Sequence, residues 1–190
     1  FRMGVFSKLT SVILSRRLKS FSESKKRAVE DQTKLLYDLL YYGSRTDYGR
    51  NYNFKEIKSY NDFSAKVPLV EYEDFSVEIK KVLRGEQNVI WPDKINWFAK
   101  SSGTTSEKSK FIPVSNISLR KNHYKSGQDL LAQYINNNKK SKLFDGYSLA
   151  LGGSKQITPY SSKSQIFTGD ISAVLLKNLP FWARTYRTPS

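Results

Sequence analysis

Between Ser101 and Lys110 the chain reads SSGTTSEKSK. A phosphate chain needs many hydrogen-bond donors, some positive charge and a backbone that can come close. Ser101, Ser102, Thr104, Thr105 and Ser106 offer hydroxyls, Gly103 permits close approach, and Lys108 or Lys110 can place a compact charge on phosphate oxygens. The stretch lacks the two glycines and the Gly-Lys-Ser/Thr ending of a Walker loop, and it is not Gly-x-Gly-x-x-Gly. An ordinary polar surface loop uses the same residue types. Residue chemistry alone therefore leaves two readings, a phosphate cradle and a solvated turn.

The flanking segments decide what such a loop hangs from. Ile95–Lys100 (INWFAK) and Lys110–Val114 (KFIPV) are short and rich in aromatic and β-branched residues, which predicts two strands around the loop. Pro113 cannot donate to a ladder, so the second strand belongs at a sheet edge. Ser115 is a candidate N-cap for a long helix to about Ile135, with Leu119, His123, Gly127, Leu130 and Tyr134 on one face. Gly127 in mid-helix costs about 1 kcal/mol against alanine, and close packing against another backbone is one reason to keep it. Asn88–Pro92 (NVIWP), Tyr147–Leu151 and Gln165–Thr168 read as further strands, the last two in one sheet with Ile95–Lys100. Ile171–Leu179 reads as a helix stopped before Pro180.

Upstream, a helix over 25–42 carries Val29, Thr33, Leu36 and Leu40 on one face and stops at Gly43. Asn61 or Asp62 could cap a short helical turn that Pro68 ends, and Asp74–Leu83 reads as a helix stopped at Gly85. Residues 1–24 read as an amphipathic helix with Val5, Phe6, Leu9, Val12 and Ile13 on its apolar stripe. Charge breaks that stripe too often for a signal peptide, and it is too short to span a bilayer. The helix either docks on its own protein or lies on a membrane surface.

Composition bounds the function. Among 190 residues, 38% are hydrophobic and 14% aromatic, which argues against disorder. There is no cysteine, so disulfides, thiolate metal sites and cysteine nucleophiles are excluded. That composition is compatible with the cytoplasmic location expected here. A single histidine, His123, excludes multi-histidine metal sites. The net charge of +15 is spread along the chain in short clusters, which leaves a basic non-catalytic domain for nucleic acid or anionic membrane as the alternative function.

The segments WFAKSSGTTSEKSKFIPVS, NHYKSGQDLL and LALGGS, in that order, resemble the bacterial branch of the Gretchen Hagen three family. Those are the auxin-responsive acyl acid–amido synthetases of the adenylate-forming superfamily. TDYGRNYNF, SYNDFSAKVPLVEYEDF and LRGEQNVIWP are similar to the same family's N-terminal region, so the likeness runs from about Lys25 onward. The resemblance implies an α/β fold, the N-terminal part of the large domain of an adenylate-forming enzyme, with a mixed sheet and flanking helices over 25–190. It implies ATP with magnesium, a carboxylic acid and an amine or amino acid as small-molecule partners, and no nucleic acid or integral membrane contact.

Residue by residue, Ser101, Ser102, Gly103, Thr104 and Thr105 would wrap the phosphates. Lys110 would hold the motif's lysine position. His123, on the helix that follows the loop, is either a hydrogen-bonded packing residue or a residue beside the acid. The family often has a second glycine where Ser106 and Glu107 stand here, so Glu107 is expected to face solvent. The later family motifs are missing: an aromatic-x-x-Ser-Glu segment, a Tyr-Arg-x-Gly-Asp segment and a C-terminal lysine. The magnesium ligands are therefore expected outside this chain, no residue is assigned as catalytic, and the chain is expected to be an N-terminal fragment, inactive alone.

Overall fold

The computed structural model describes residues 2–101, 109–153, 155–157, 165–184 and 187–188; the side chains of 2–11, 15, 181 and 182 fall outside that set. In chain order the elements are α1 (Arg2–Lys26), α2 (Ala28–Gly43), α3 (Asp47–Asn51), α4 (Tyr60–Lys66), α5 (Tyr72–Leu83), β1 (Trp97–Lys100), β2 (Phe111–Val114), a π-helical turn (Ser118–His123), α6 (Tyr124–Asn137), β3 (Ser148–Leu149), β4 (Gln156–Ile157), β5 (Phe167–Gly169), α7 (Ile171–Lys177), α8 (Phe181–Arg184) and β6 (Arg187–Thr188). The fold is mixed α/β. Contacts divide it into two units: the first is Phe1–Ala28, Ile117–Gly152 and Leu175–Ser190; the second is Val29–Asn116 and Gly153–Val174.

The second unit carries a four-stranded sheet in the order β2-β1-β5-β4. β1 runs antiparallel to β2, with Lys100 opposite Phe111, and parallel to β5, with Phe98 opposite Thr168. β2 lies at the edge, where Pro113 costs no ladder bond. Phe98 and Ile166 are fully buried, and Ile79, Val82, Leu83, Val89 and Ile95 close the core around them.

Local chemistry sets the helix ends. Thr46 accepts from Gly49 N–H at 3.0 Å and starts α3. The cap of α4 is Ser59, not Asn61 or Asp62: its hydroxyl accepts from Asp62 N–H at 3.0 Å, while Asp62 takes Lys58 N–H at 3.0 Å. The Ser-x-x-Asp spacing carried that signal. A capping box between Glu71 and Asp74 starts α5 at Tyr72, two residues before the expected Asp74. Gly85 ends it in the left-handed region at φ 87.

Asn88–Pro92 is not a strand. Asn88 is left-handed at φ 58, which breaks extended pairing. Its carbonyl and that of Val89 instead accept from Asp47 and Tyr48 N–H at 2.8 and 3.0 Å. Val89 is buried all the same, at 1% exposure.

The first unit packs α1 on α6. Leu14, Ala132 and Phe144 are its buried cluster, with Leu18, Leu131 and Ile135 against it. Arg17 pairs with Asp129 at 2.7 Å. Val12 and Ile13, expected on the packing stripe of α1, are exposed instead. β3 pairs in parallel with β6 in a separate two-stranded sheet. Tyr147–Leu151 therefore does not join the sheet of β1: Tyr147, Leu149 and Leu151 are all exposed, so no buried face draws the segment there.

Candidate functional site

Of the predicted phosphate loop, the structure describes the two feet. Ser102, Gly103, Thr104 and Thr105 lie outside the described residues. At the feet, Ser101 N–H donates to Lys110 C=O at 3.0 Å, and Lys110 N–H donates to Ser101 Oγ at 3.1 Å. The β1–β2 pairing thus extends one residue beyond Lys100 and Phe111 and brings Ser101 and Lys110 together. The Ser101 hydroxyl accepts there, which leaves its proton to donate to an anion.

The Lys110 ammonium lies 3.3 Å from Glu73 Oε1 and 5.4 Å from the centre of the Tyr72 ring. The Glu73 carboxyl is held below its ordinary range, first by its own backbone N–H and then by Lys110. Between α5 and β2 opens an apolar cleft of about 470 Å³, lined by Tyr72, Ile79, Leu83 and Phe111 with Lys80 and Arg84. Cations beside apolar walls suit an anion that also carries carbon surface.

Elsewhere in the second unit, the Asp170 carboxylate accepts from Ala173 N–H at 2.6 Å and from the Ser172 hydroxyl at 2.7 Å. Those donors, the Ala173 amide first, hold it below the usual carboxylate range. Gly153 N–H donates to Ser172 Oγ at 3.2 Å, and a Cβ on Gly153 would stand 2.0 Å from Asp170 Oδ2. The glycine turn after β3 is therefore fitted against the carboxylate that starts α7. Sequence reasoning missed Tyr72, Glu73 and Asp170; an acidic residue before an apolar helical run was the available sign for Asp170.

His123 belongs to the first unit. It is exposed, at the end of the π turn, on the rim of a cleft of about 360 Å³ with Tyr124, Gly127, Gln128, Leu131 and Ser148. The Tyr124 hydroxyl donates to Leu175 C=O at 2.9 Å, and burial pushes its phenol up to about 12. Gly127 is not packed against a backbone: a Cβ there would meet nothing within 4 Å. The expected face also slips by one residue after the π turn. Leu130 and Tyr134 are exposed, while Leu131 and Ile135 pack. A π turn spends five residues where α spends four, so a ladder counted at 3.6 is one position early beyond it.

Among the described residues no three His, Cys, Asp or Glu side chains converge as metal ligands. Among the same residues no helix is long and apolar enough to cross a membrane.

Comparison with known proteins adds the family. The GH3 family N-terminal domain matches residues 17–190. Indole-3-acetic acid-amido synthetase GH3.4 of Arabidopsis thaliana is 29% identical over 112 residues, 58% of this chain and 19% of that protein. Indole-3-acetic acid-amido synthetase GH3.3 of the same plant is 32% identical over 84 residues, 44% of this chain and 14% of its own length. The solved AtGH3.15 acyl acid amido synthetase in complex with 2,4-DB superposes with a TM-score of 0.69 at 22% identity, over 84% of this chain and 27% of that one. The likeness to the solved structure is one of fold, and the chain spans a small part of each relative.

Proposed function

The chain belongs to the GH3 family, and on that premise we propose that it supplies the ATP-phosphate side of a ligase joining a carboxylic acid to an amine or amino acid. In the reaction proposed, a carboxylate oxygen attacks the α-phosphorus of ATP and pyrophosphate leaves. The amine nitrogen then attacks the acyl carbon and AMP leaves. Negative charge grows on the phosphates in the first step, so fixed donors there act on the transition state.

The observation that carries the reading is the closed foot of the loop, where Ser101 and Lys110 hold each other by two hydrogen bonds. Such a foot fixes where the chain leaves β1 and where it enters β2. Ser101, Ser102, Gly103, Thr104 and Thr105 are assigned to the phosphates, with Lys110 as their cation. His123 is assigned to the acid, on the strength of the largely apolar cleft beside it. ATP and magnesium are the cofactors in this reading, the cytoplasm its place, and the bacterial branch the affiliation that the quoted segments support. Because the matched stretch covers 14–27% of the relatives named above, these 190 residues by themselves are expected to bind ATP weakly and to form no acyl adenylate.

The test is ATP–pyrophosphate exchange over a panel of carboxylic acids, in the protein that carries this chain. Replacing Ser102 and Thr104 with alanine should slow exchange, each lost donor costing about 1–3 kcal/mol where it meets developing charge. His123→Ala should raise the KM of the acid more than that of ATP. Exchange unaltered by the double variant would return the loop to a solvated turn. The net charge of +15 favours one other reading, a polyanion-binding domain, for which binding would fall steeply with salt and accept any polyanion.

A further inference from the structure

The cation assigned to phosphate already has partners, and both come from the first turn of α5. Along an antiparallel edge strand, successive residues turn their backbone groups to opposite sides. Lys110 turns its N–H and C=O inward, to Ser101. Phe111 turns its own outward, where β2 has no strand beside it. There a single side chain takes the place of a strand. The Tyr72 hydroxyl accepts from Phe111 N–H at 2.8 Å and donates to Phe111 C=O at 3.3 Å. The backbone that carries Lys110 is thus tied on one side to β1 and on the other to α5.

The side chain of Lys110 follows the same direction. Its ammonium meets Glu73 Oε1 at 3.3 Å and lies over the Tyr72 ring. The Glu73 side chain is 65% exposed, so water screens the pair and its hold on the lysine is weak. A polyphosphate brings several charges to the same ammonium and outcompetes one screened carboxylate.

We propose that the first turn of α5 regulates the anion site: Tyr72 is a positioning residue that fixes the backbone of Lys110, and Glu73 is a resident counter-ion that polyphosphate displaces. This rests on the phosphate reading of Lys110 given above. Its consequence is that the two neighbours act with opposite sign. Tyr72 raises affinity by presenting the lysine. Glu73 lowers it by occupying the lysine when no phosphate is bound.

The experiment measures ATP binding by calorimetry, with the KM of ATP, the KM of the acid and Tm alongside, in the protein that carries this chain. Glu73→Gln keeps the side-chain shape and should tighten ATP roughly two- to fivefold at low salt, with the KM of the acid unchanged. Tyr72→Phe should weaken ATP about three- to tenfold, again with the KM of the acid unchanged. In a Lys110→Met background the gain from Glu73→Gln should vanish. Weaker ATP binding in Glu73→Gln, or an equal gain without Lys110, would overturn the counter-ion role. A Tyr72→Phe variant that moves both KM values together, or only Tm, would reduce Tyr72 to a packing residue. If the unmodified protein binds no ATP, the phosphate reading itself falls and this inference with it. If it binds ATP and the variants change nothing, only the role of α5 falls.

Discussion

In the second unit Phe98 and Ile166 sit at zero exposure, ringed by Ile79, Val82, Leu83, Val89 and Ile95. The first unit's buried cluster is Leu14, Ala132 and Phe144 with three partly buried neighbours, and it buries Leu119 besides. One core is drawn from a helix and a sheet, the other from two helices laid together. The difference matters for the sites each unit carries. The feet at Ser101 and Lys110 extend strands whose side chains are locked into the larger core, so small displacements there are costly. The His123 cleft is lined by a helix on a thinner core, and such regions open locally at lower free energy.

That comparison has a steep end and a shallow end. The largest effect is expected from Phe98→Ala, which empties the centre of the second unit and should cost about 3–5 kcal/mol in denaturant unfolding. A loss under about 1 kcal/mol would mean that the two cores are equally loose.

A middle effect is expected from Gly153→Ala. The new Cβ would overlap the Asp170 carboxylate, so either that side chain gives up its bonds to Ala173 and Ser172 or the turn shifts, at about 1–3 kcal/mol. Double substitution with Asp170→Ala should recover part of that loss, because the colliding atoms are then gone. No recovery would place the strain elsewhere in the turn.

The smallest effect belongs to the first unit. Tyr124→Phe removes one hydrogen bond to Leu175 and should cost about 1 kcal/mol at neutral pH. It should also change the alkaline limb. Burial lifts the Tyr124 phenol from 10.0 to about 12, so the folded state holds that proton more tightly than the unfolded chain. Its contribution is whole below pH 10 and is lost as pH rises from 10 to 12. Tyr48 in the second unit is raised too, chiefly by burial, so the variant should flatten only part of the limb. Hydrogen exchange of α6 against that of α5 across this range would show which unit yields first. Equal loss in both would erase the contrast.

Much of the loop's setting was legible in residue types. Pro113 announced an edge strand because a missing N–H leaves no other place in a sheet. Gly85 announced the end of α5 because the left-handed region favours it. Ser101 and Lys110 were legible as the residues that flank the loop between two strands. Their partners in α5 were not, since Tyr72 reaches Phe111 across 39 positions of sequence and a side chain replacing a strand leaves no periodic trace. Asn88–Pro92 misled because aromatic and β-branched residues serve a buried bend as well as a strand. Beyond Ser118 the period itself changed, so Leu130 and Tyr134 were placed on a face that Leu131 and Ile135 occupy.

The chain passes between its units at 28/29, 116/117, 152/153 and 174/175. β1 and β5, paired in parallel, therefore come from stretches separated by a whole excursion through the other unit. Recombination that exchanged residues 29–116 alone would deliver β1 without β5 and the core without Ile166. Neither unit can be passed between genes as one uninterrupted cassette, so the strand pair that ends at Ser101 and Lys110 and the His123 cleft are inherited together.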